Sequence, residues 1–174
     1  MEYSIEQGIE LLERTPATLR ALLSGIAPEW TSATEGPETW SAYDVVGHLA
    51  YAERSAWIGR AEVILSEAAD KTFPLVDRFA QFHESKGKSL DQLLDEFAAL
   101  RVRNIAQLRA LNPGSAQLQR SAIHPQLGPV TLSQLLATWT VHDLDHISQI
   151  LRVLATQYAD AVGPWKANLR IIRS

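Results

Sequence analysis

Thr131-Leu-Ser-Gln-Leu-Leu-Ala-Thr-Trp-Thr-Val-His-Asp-Leu-Asp-His-Ile-Ser-Gln-Ile-Leu-Arg-Val153 is the stretch that decides the fold. At helical spacing it yields Leu132, Leu135, Trp139, His142, His146, Ile150 and Val153, an apolar stripe broken only by two imidazoles. Thr131 caps such a helix, which ends near Tyr158, and both histidines point inward. Residues four apart are neighbours on a helix surface, so His142 and His146 can share one divalent cation. A pair of core histidines, each bonded to a carbonyl or carboxylate, is the plainer account of the same pattern. Two neutral imidazoles at one point of an apolar interior must each find a partner, and a metal would satisfy both.

Three further segments carry the same period. The first runs from about Ser4 to Ile26, with Ile5, Ile9, Leu12, Leu19, Leu22 and Ile26 in register, and Pro16 should kink it or split it in two. The second starts at the N-cap Ser41, three residues before Asp44, and continues to about Ala69. Its inward face reads Val45, His48, Ala52, Ser55 or Ala56, Gly59 and Val63, which makes His48 the third candidate ligand. The small residues Ala52, Ser55 and Gly59 leave either a pocket beside His48 or room for a second helix to approach closely. The third starts after Ser89, with Gln92 as capping-box partner, and carries Leu93, Phe97, Leu100, Asn104, Leu108 and Leu111 up to Asn112-Pro-Gly.

No strand-like alternation or repeat competes with this pattern, so the expected class is all-α, a four-helix bundle, and the length suits one domain over residues 1–174. About twenty residues between the second and third helices suffice to travel back along a bundle roughly 30 Å long, which allows those two helices to run parallel. That crossover, Phe73-Pro-Leu-Val-Asp-Arg-Phe-Ala-Gln-Phe-His83, carries three phenylalanines and should pack over the bundle or line its mouth as a lid. Ile123-His-Pro-Gln-Leu-Gly-Pro-Val130 reads as an ordered turn into the fourth helix. His83 and His124 on these connections read as surface histidines, and Trp57 as an outward residue able to serve a dimer surface.

A net charge of −4 supplies no basic stripe, which argues against nucleic acid and anionic membrane as partners and leaves a small molecule. There is no run of roughly 18 apolar residues, and Met1-Glu-Tyr-Ser-Ile-Glu-Gln7 has acids where a signal peptide has bases, so the expected location is cytoplasmic. The absence of cysteine excludes disulfides, thiolate ligands and a cysteine nucleophile. Any metal must be held by nitrogen and oxygen.

With the inward His48 of Gly47-His48-Leu49 and the His142-x-x-x-His146 pair in hand, the chain resembles the DinB-like (DinB/YfiT-like) superfamily of metal-binding four-helix bundles. The resemblance spans nearly the whole chain: Leu11-Leu-Glu-Arg-Thr-Pro-Ala-Thr-Leu19, Glu35-Gly-Pro-Glu-Thr-Trp-Ser-Ala-Tyr-Asp-Val-Val-Gly-His-Leu49, Leu132 to His146, and Ala161-Val-Gly-Pro-Trp165. It implies an up-down-down-up bundle in which one histidine of the second helix and two of the fourth, here His48, His142 and His146, bind a divalent metal. It also implies a range of chemistry: thiol-dependent transferases using low-molecular-weight thiols, a maleylpyruvate isomerase branch, and members with no assigned reaction.

Three protein ligands with open positions are the mark of a catalytic metal site, whereas a structural zinc site closes with four. The resulting expectation is a metal-dependent enzyme acting on a small molecule, and the resemblance implies a transferase using a thiol cofactor. A metal-dependent hydrolase and a non-catalytic, stress-related homodimeric metal-binding bundle are the alternatives. Imidazole donors suit zinc or nickel first, then iron or manganese. Asp44, one turn before His48, and Asp145, one turn after His142, could each accept a ligand's ring N–H or be a solvated surface acid. Asn104 is either a polar group of the pocket or a buried residue that fixes helix register, and Trp139 a pocket candidate one turn before His142.

Overall fold

The structure, a computed structural model, describes residues 3–75, 77 and 79–172. Helix boundaries follow the capping chemistry. The first bundle helix is two pieces, α1 (Ile5–Leu12), capped by Ser4, and α2 (Thr15–Leu23), with Pro16 in its first turn, where its missing N–H costs nothing. A short α3 (Pro28–Ser32) leads into α4 (Ala42–Ser55), closed by a reciprocal capping box between Ser41 and Asp44.

The second bundle helix breaks where the periodicity alone had it continuous. Ser55 donates its hydroxyl back to the Tyr51 carbonyl at 2.8 Å, and Ala56, at φ −111°, separates α4 from α5 (Trp57–Leu65). The break resets the register. Trp57 and Ile58 turn inward and Gly59 turns out, reversing the sequence reading of Trp57 and Gly59.

The crossover contains α6 (Ala80–Ser85), and α7 (Leu90–Leu111) follows with a Ser89/Gln92 capping box and a left-handed end at Asn112. After α8 (Ser115–Leu118) comes the second departure from expectation, a hairpin of β1 (Ser121–His124) and β2 (Gly128–Thr131) in place of a simple turn. Four-residue strands containing Pro129 and Gly128 are too short and too irregular to show alternation. The start of the crossover is stitched onto this hairpin: Phe73 N–H donates to the Ile123 carbonyl at 2.9 Å and Ile123 N–H to the Lys71 carbonyl at 2.8 Å. Phe73 is buried there while Leu75 and Phe79 stay exposed; Val76 and Arg78 of the expected lid lie outside the described residues. The fourth bundle helix, α9 (Leu132–Thr156), has its capping box at Thr131 and Gln134.

Pairings between helices fix the topology. Tyr43 bonds the carbonyls of Ser85 and Lys88, Arg54 pairs with Glu96 and Glu53 with Arg101, so α4 and α7 advance together and are parallel. Arg20 with Asp95 and Ser24 with Asp91 make α2 antiparallel to α7, and His48 with His142 and Glu53 with Trp139 make α4 antiparallel to α9. The bundle is therefore up-down-down-up, with the long crossover required between its second and third helices. Its apolar interior has two clusters, one around Leu12, Ile58, Leu108 and Trp139 and one around Leu19, Val46, Phe97 and Ile150. Among the described residues no helix is long and apolar enough to cross a membrane.

Candidate metal centre

His48 on α4 and His142 and His146 on α9 converge. Nε2 of His142 lies 3.1 Å from Nε2 of His48 and 3.2 Å from Nε2 of His146, and the three ligand atoms lie within 4.8 Å of one another. The outer nitrogens explain the direction. His48 Nδ1–H donates to Gln81 Oε1 at 2.5 Å and His146 Nδ1–H donates to Gln149 Oε1 at 2.8 Å, so both rings carry their proton on the outside and turn Nε2 lone pairs inward. His142 has a single ring proton, and its buried Nδ1 has no partner.

The one ring proton of His142 can serve only one of the two lone pairs aimed at it, whereas a cation serves all three nitrogens. The separations suit one: with zinc–nitrogen bonds of about 2.0–2.1 Å, tetrahedral geometry puts neighbouring nitrogens roughly 3.3 Å apart. Protonation does not compete near neutrality. Burial, reinforced by His146, pushes His48 from 6.5 down to about 4, and burial with the two neighbouring imidazoles pushes His142 down to about 3. Burial lowers His146 as well. All three are neutral donors, the form a metal needs.

Gln81 reaches His48 because α6 sits directly on α4 at Gly47. A Cβ at Gly47 would collide with the Ser85 side chain, so glycine permits the approach that carries Gln81 to the imidazole. The sequence contains this signal only as a glycine beside a histidine. Trp40 flanks the cluster, its ring centroid 4.9 Å from that of His48 and 6.2 Å from that of His146.

The expected outer ligands are elsewhere. Asp44 bonds the hydroxyl and N–H of its own N-cap, Ser41, at 2.6 and 2.9 Å. Asp145 is exposed. The buried carboxylate on this part of α9 is Asp143, which takes a bidentate pair of bonds from Arg101 at 2.6 and 3.0 Å. Arg101 also donates to Glu53 at 2.8 Å and to the Leu12 carbonyl at 2.7 Å. Asn104 and Trp139 complete this network and not the pocket: Asn104 donates to the Glu53 carbonyl and carboxylate at 2.6 and 2.9 Å, and Trp139 Nε1–H to Glu53 at 2.8 Å. Burial raises the Glu53 pKa against the pull of Arg101. A tryptophan pair separates network from cluster: Trp139 stacks on Trp57 at 5.7 Å, and Trp57 meets His142 edge-on at 5.1 Å.

A cavity of about 560 Å³ opens from the three histidines along α4 and α5 to the hairpin. Ala52 and Ser55 line it, as the sequence suggested; Gly59 does not, because of the break at Ala56. Trp57, Phe73, Leu127, Val130 and Leu135 are among the apolar residues of its wall, and His124 lines it while His83 is exposed on α6. Among the described residues that line it there is no aspartate or glutamate.

Comparison with known proteins agrees with this architecture. YfiT from Bacillus subtilis, described as a probable metal-dependent hydrolase with an unusual four-helix bundle topology, superposes with a TM-score of 0.75 at 22% identity over 88% of this chain and 87% of that one. TT2238, described as a four-helix bundle protein, superposes with a TM-score of 0.53 at 20% identity over 85% of this chain and 98% of its own. Among curated proteins, none matches by sequence. At such identities the likeness shows the fold. The family model of the DinB superfamily matches residues 11–150, most of the chain and all three histidines, and the protein belongs to that superfamily.

Proposed function

We propose that this protein is a metal-dependent enzyme acting on a small, largely apolar molecule, with His48, His142 and His146 as metal ligands, and that it transfers a low-molecular-weight thiol to an electrophile. The observation that carries this reading is the convergence of three neutral Nε2 atoms, 3.1 and 3.2 Å apart along the His48, His142, His146 chain, at the end of an apolar cavity. The donor set fits zinc or nickel, with iron as a further candidate. Such a cation would supply a Lewis-acidic centre with open positions, favouring thiolate over thiol.

The chain's own residues then have two tasks. Gln81 and Gln149 hold the ring protons of His48 and His146 on Nδ1, so that Nε2 is always the donor. The apolar wall orients the electrophile and excludes water. The lack of a lining carboxylate among the described residues favours transfer over hydrolysis, since hydrolysis ordinarily uses a general base beside the metal and a thiol of lowered pKa does not need one. Hydrolysis is the second reading, supported by the description of YfiT.

The experiment is a screen of chelator-treated protein, reloaded with zinc or nickel, against halogenated and epoxide acceptors with several thiols, beside esters and amides without thiol. Turnover that requires both thiol and metal and disappears in His48→Ala is the expected result. Ester or amide turnover without thiol would favour the hydrolase. Activity that survives His48→Ala or chelation would end the reading.

A further inference from the structure

Arg60, on α5, is the unexplained residue of the cavity. It lines the wall, is half-buried, and its Nε is fully buried with no hydrogen-bond partner. No carboxylate among the described residues pairs with it, whereas Arg20, Arg54, Arg101, Arg109, Arg120 and Arg152 each have one. Its guanidinium lies over the ring of Phe73, 5.2 Å from the centroid, and Phe73 is itself buried and tied to the hairpin through Ile123. The cation is thus held in place by a fixed aromatic face and given no anion. A guanidinium partly removed from water without a counter-charge is costly, and burial accordingly lowers its pKa, although arginine stays charged at any working pH.

His124 meets the same Phe73 ring edge-on, with centroids 6.1 Å apart. Its Nδ1 accepts the backbone N–H groups of Gln126 and Leu127 at 3.2 and 3.3 Å, which places the ring proton on Nε2. The cavity therefore has a cationic donor and a neutral N–H donor at its hairpin end, both positioned by rigid neighbours, and apolar walls between them and the three histidines.

We propose that Arg60 and His124 form a carboxylate-binding subsite, which holds the anionic head of a substrate whose apolar body fills the cavity and whose reacting end lies at His48, His142 and His146. This rests on the reading of those histidines as the reaction centre. One permanent positive charge beside a neutral donor matches a monoanion; a phosphate dianion would call for more cationic partners than Arg60 alone. Arg60 follows His48 by twelve residues, on α5 beyond the break at Ala56, and both line the same cavity of about 560 Å³, so the ligand is an acid with a hydrocarbon body of several carbons, not acetate. A carboxylate and an electrophilic or thiol function at opposite ends define the class.

The test is calorimetric titration of the full chain, metal-free and zinc-loaded, with 4-phenylbutyrate, the isosteric 4-phenylbutyramide and inorganic phosphate. Wild type should bind the acid at least about tenfold more tightly than the amide in both metal states, and phosphate weakly. Arg60→Met should abolish the preference for acid over amide while leaving the amide's affinity unchanged, and Arg60→Lys should retain part of it. Thermal melts of both variants establish that they fold. Acid binding that needs zinc and ignores Arg60→Met would mean the carboxylate sits on the metal, and would overturn the subsite. Equal affinity for acid and amide, tighter binding of phosphate, or no acid binding at millimolar concentration would overturn it too. A preference for the acid that depends on Arg60 in a protein that binds no zinc would uphold the subsite and sink the metal reading, so the two failures are separable.

Discussion

Two polar clusters share the helices α4 and α9, the first of them taking in α7 as well, and they follow opposite rules. In the network of Glu53, Arg101, Asp143, Asn104 and Trp139, opposite charges meet and nearly every donor has an acceptor within 3.0 Å. In the cluster of His48, His142 and His146, two neutral bases, His48 and His146, aim Nε2 lone pairs at Nε2 of the third, whose single ring proton can satisfy only one of them. Neighbours in sequence serve different clusters: His142 faces the cavity and Asp143 the network, because successive helical residues point about 100° apart. A closed network locks helices; an open one leaves donors for a guest.

Arg101→Met is the sharpest way to break the closed side. It strands the carboxylates of Glu53 and Asp143 in an interior where they have at most 2% exposure. Breaking a buried pair by removing one partner costs about 3–5 kcal/mol, which should appear as a lower urea midpoint. A cost below about 1 kcal/mol would show that the network is dispensable.

On the open side, His142→Ala should leave folding of the metal-free protein largely intact and remove cation binding. Zinc at about 100 times its dissociation constant should stabilise wild type by about 2.7 kcal/mol and the variant hardly at all, read from the shift in Tm. Equal shifts in the two proteins would place the cation elsewhere.

Much of this was legible in the sequence, since period and caps are local. Ser41, Ser89 and Thr131 begin their helices as read, and the inward stripe of α9 delivers both histidines to the cavity. The network also has a signal in the sequence, though a weaker one. Leu94, Phe97, Arg101, Asn104 and Leu108 share one face of α7, and Asp143 falls between Trp139 and Ile150 on α9, so the spacing buries the charges that residue type alone would place in water. Gly59 and Trp57 lie on faces opposite to those the periodicity gives, because a single backbone change at Ala56 rotates everything after it. Gln81 and Arg60 depend on how a crossover and a hairpin pack, which no period encodes.

Acid should distinguish the clusters as well. In chelated protein the folded imidazoles of His48 and His142 remain neutral down to about 4 and about 3, while those of the unfolded chain protonate near 6.5. The unfolded state therefore binds more protons in this window, and stability that is full above pH 6.5 is lost as pH falls toward 4, by up to about 1.4 kcal/mol per pH unit for each proton of difference. His142→Leu should flatten that slope in thermal melts at constant ionic strength. An unchanged slope would mean that other groups dominate acid unfolding.

The smallest effect sharpens the comparison most, because it concerns which residue supports a ligand rather than whether one exists. Gln81 accepts the outer N–H of His48 at 2.5 Å, and Asp44, the nearer residue in sequence, is occupied by Ser41. Partners of this kind fix a ligand's tautomer, and losing one weakens metal affinity by about tenfold or more. Gln81→Leu should do so with little change in the stability of the metal-free protein, since the Nδ1–H it abandons sits on a ring that is only partly buried. Asp44→Ala should do the converse, costing about 1 kcal/mol of stability through the lost cap and leaving zinc affinity unaltered. Competition titration against a chromogenic chelator, with urea melts of the same samples, reads both quantities. If Asp44→Ala weakens zinc and Gln81→Leu does not, the sequence-adjacent carboxylate is the supporting group after all, and the packing of α6 over Gly47 has no bearing on the metal.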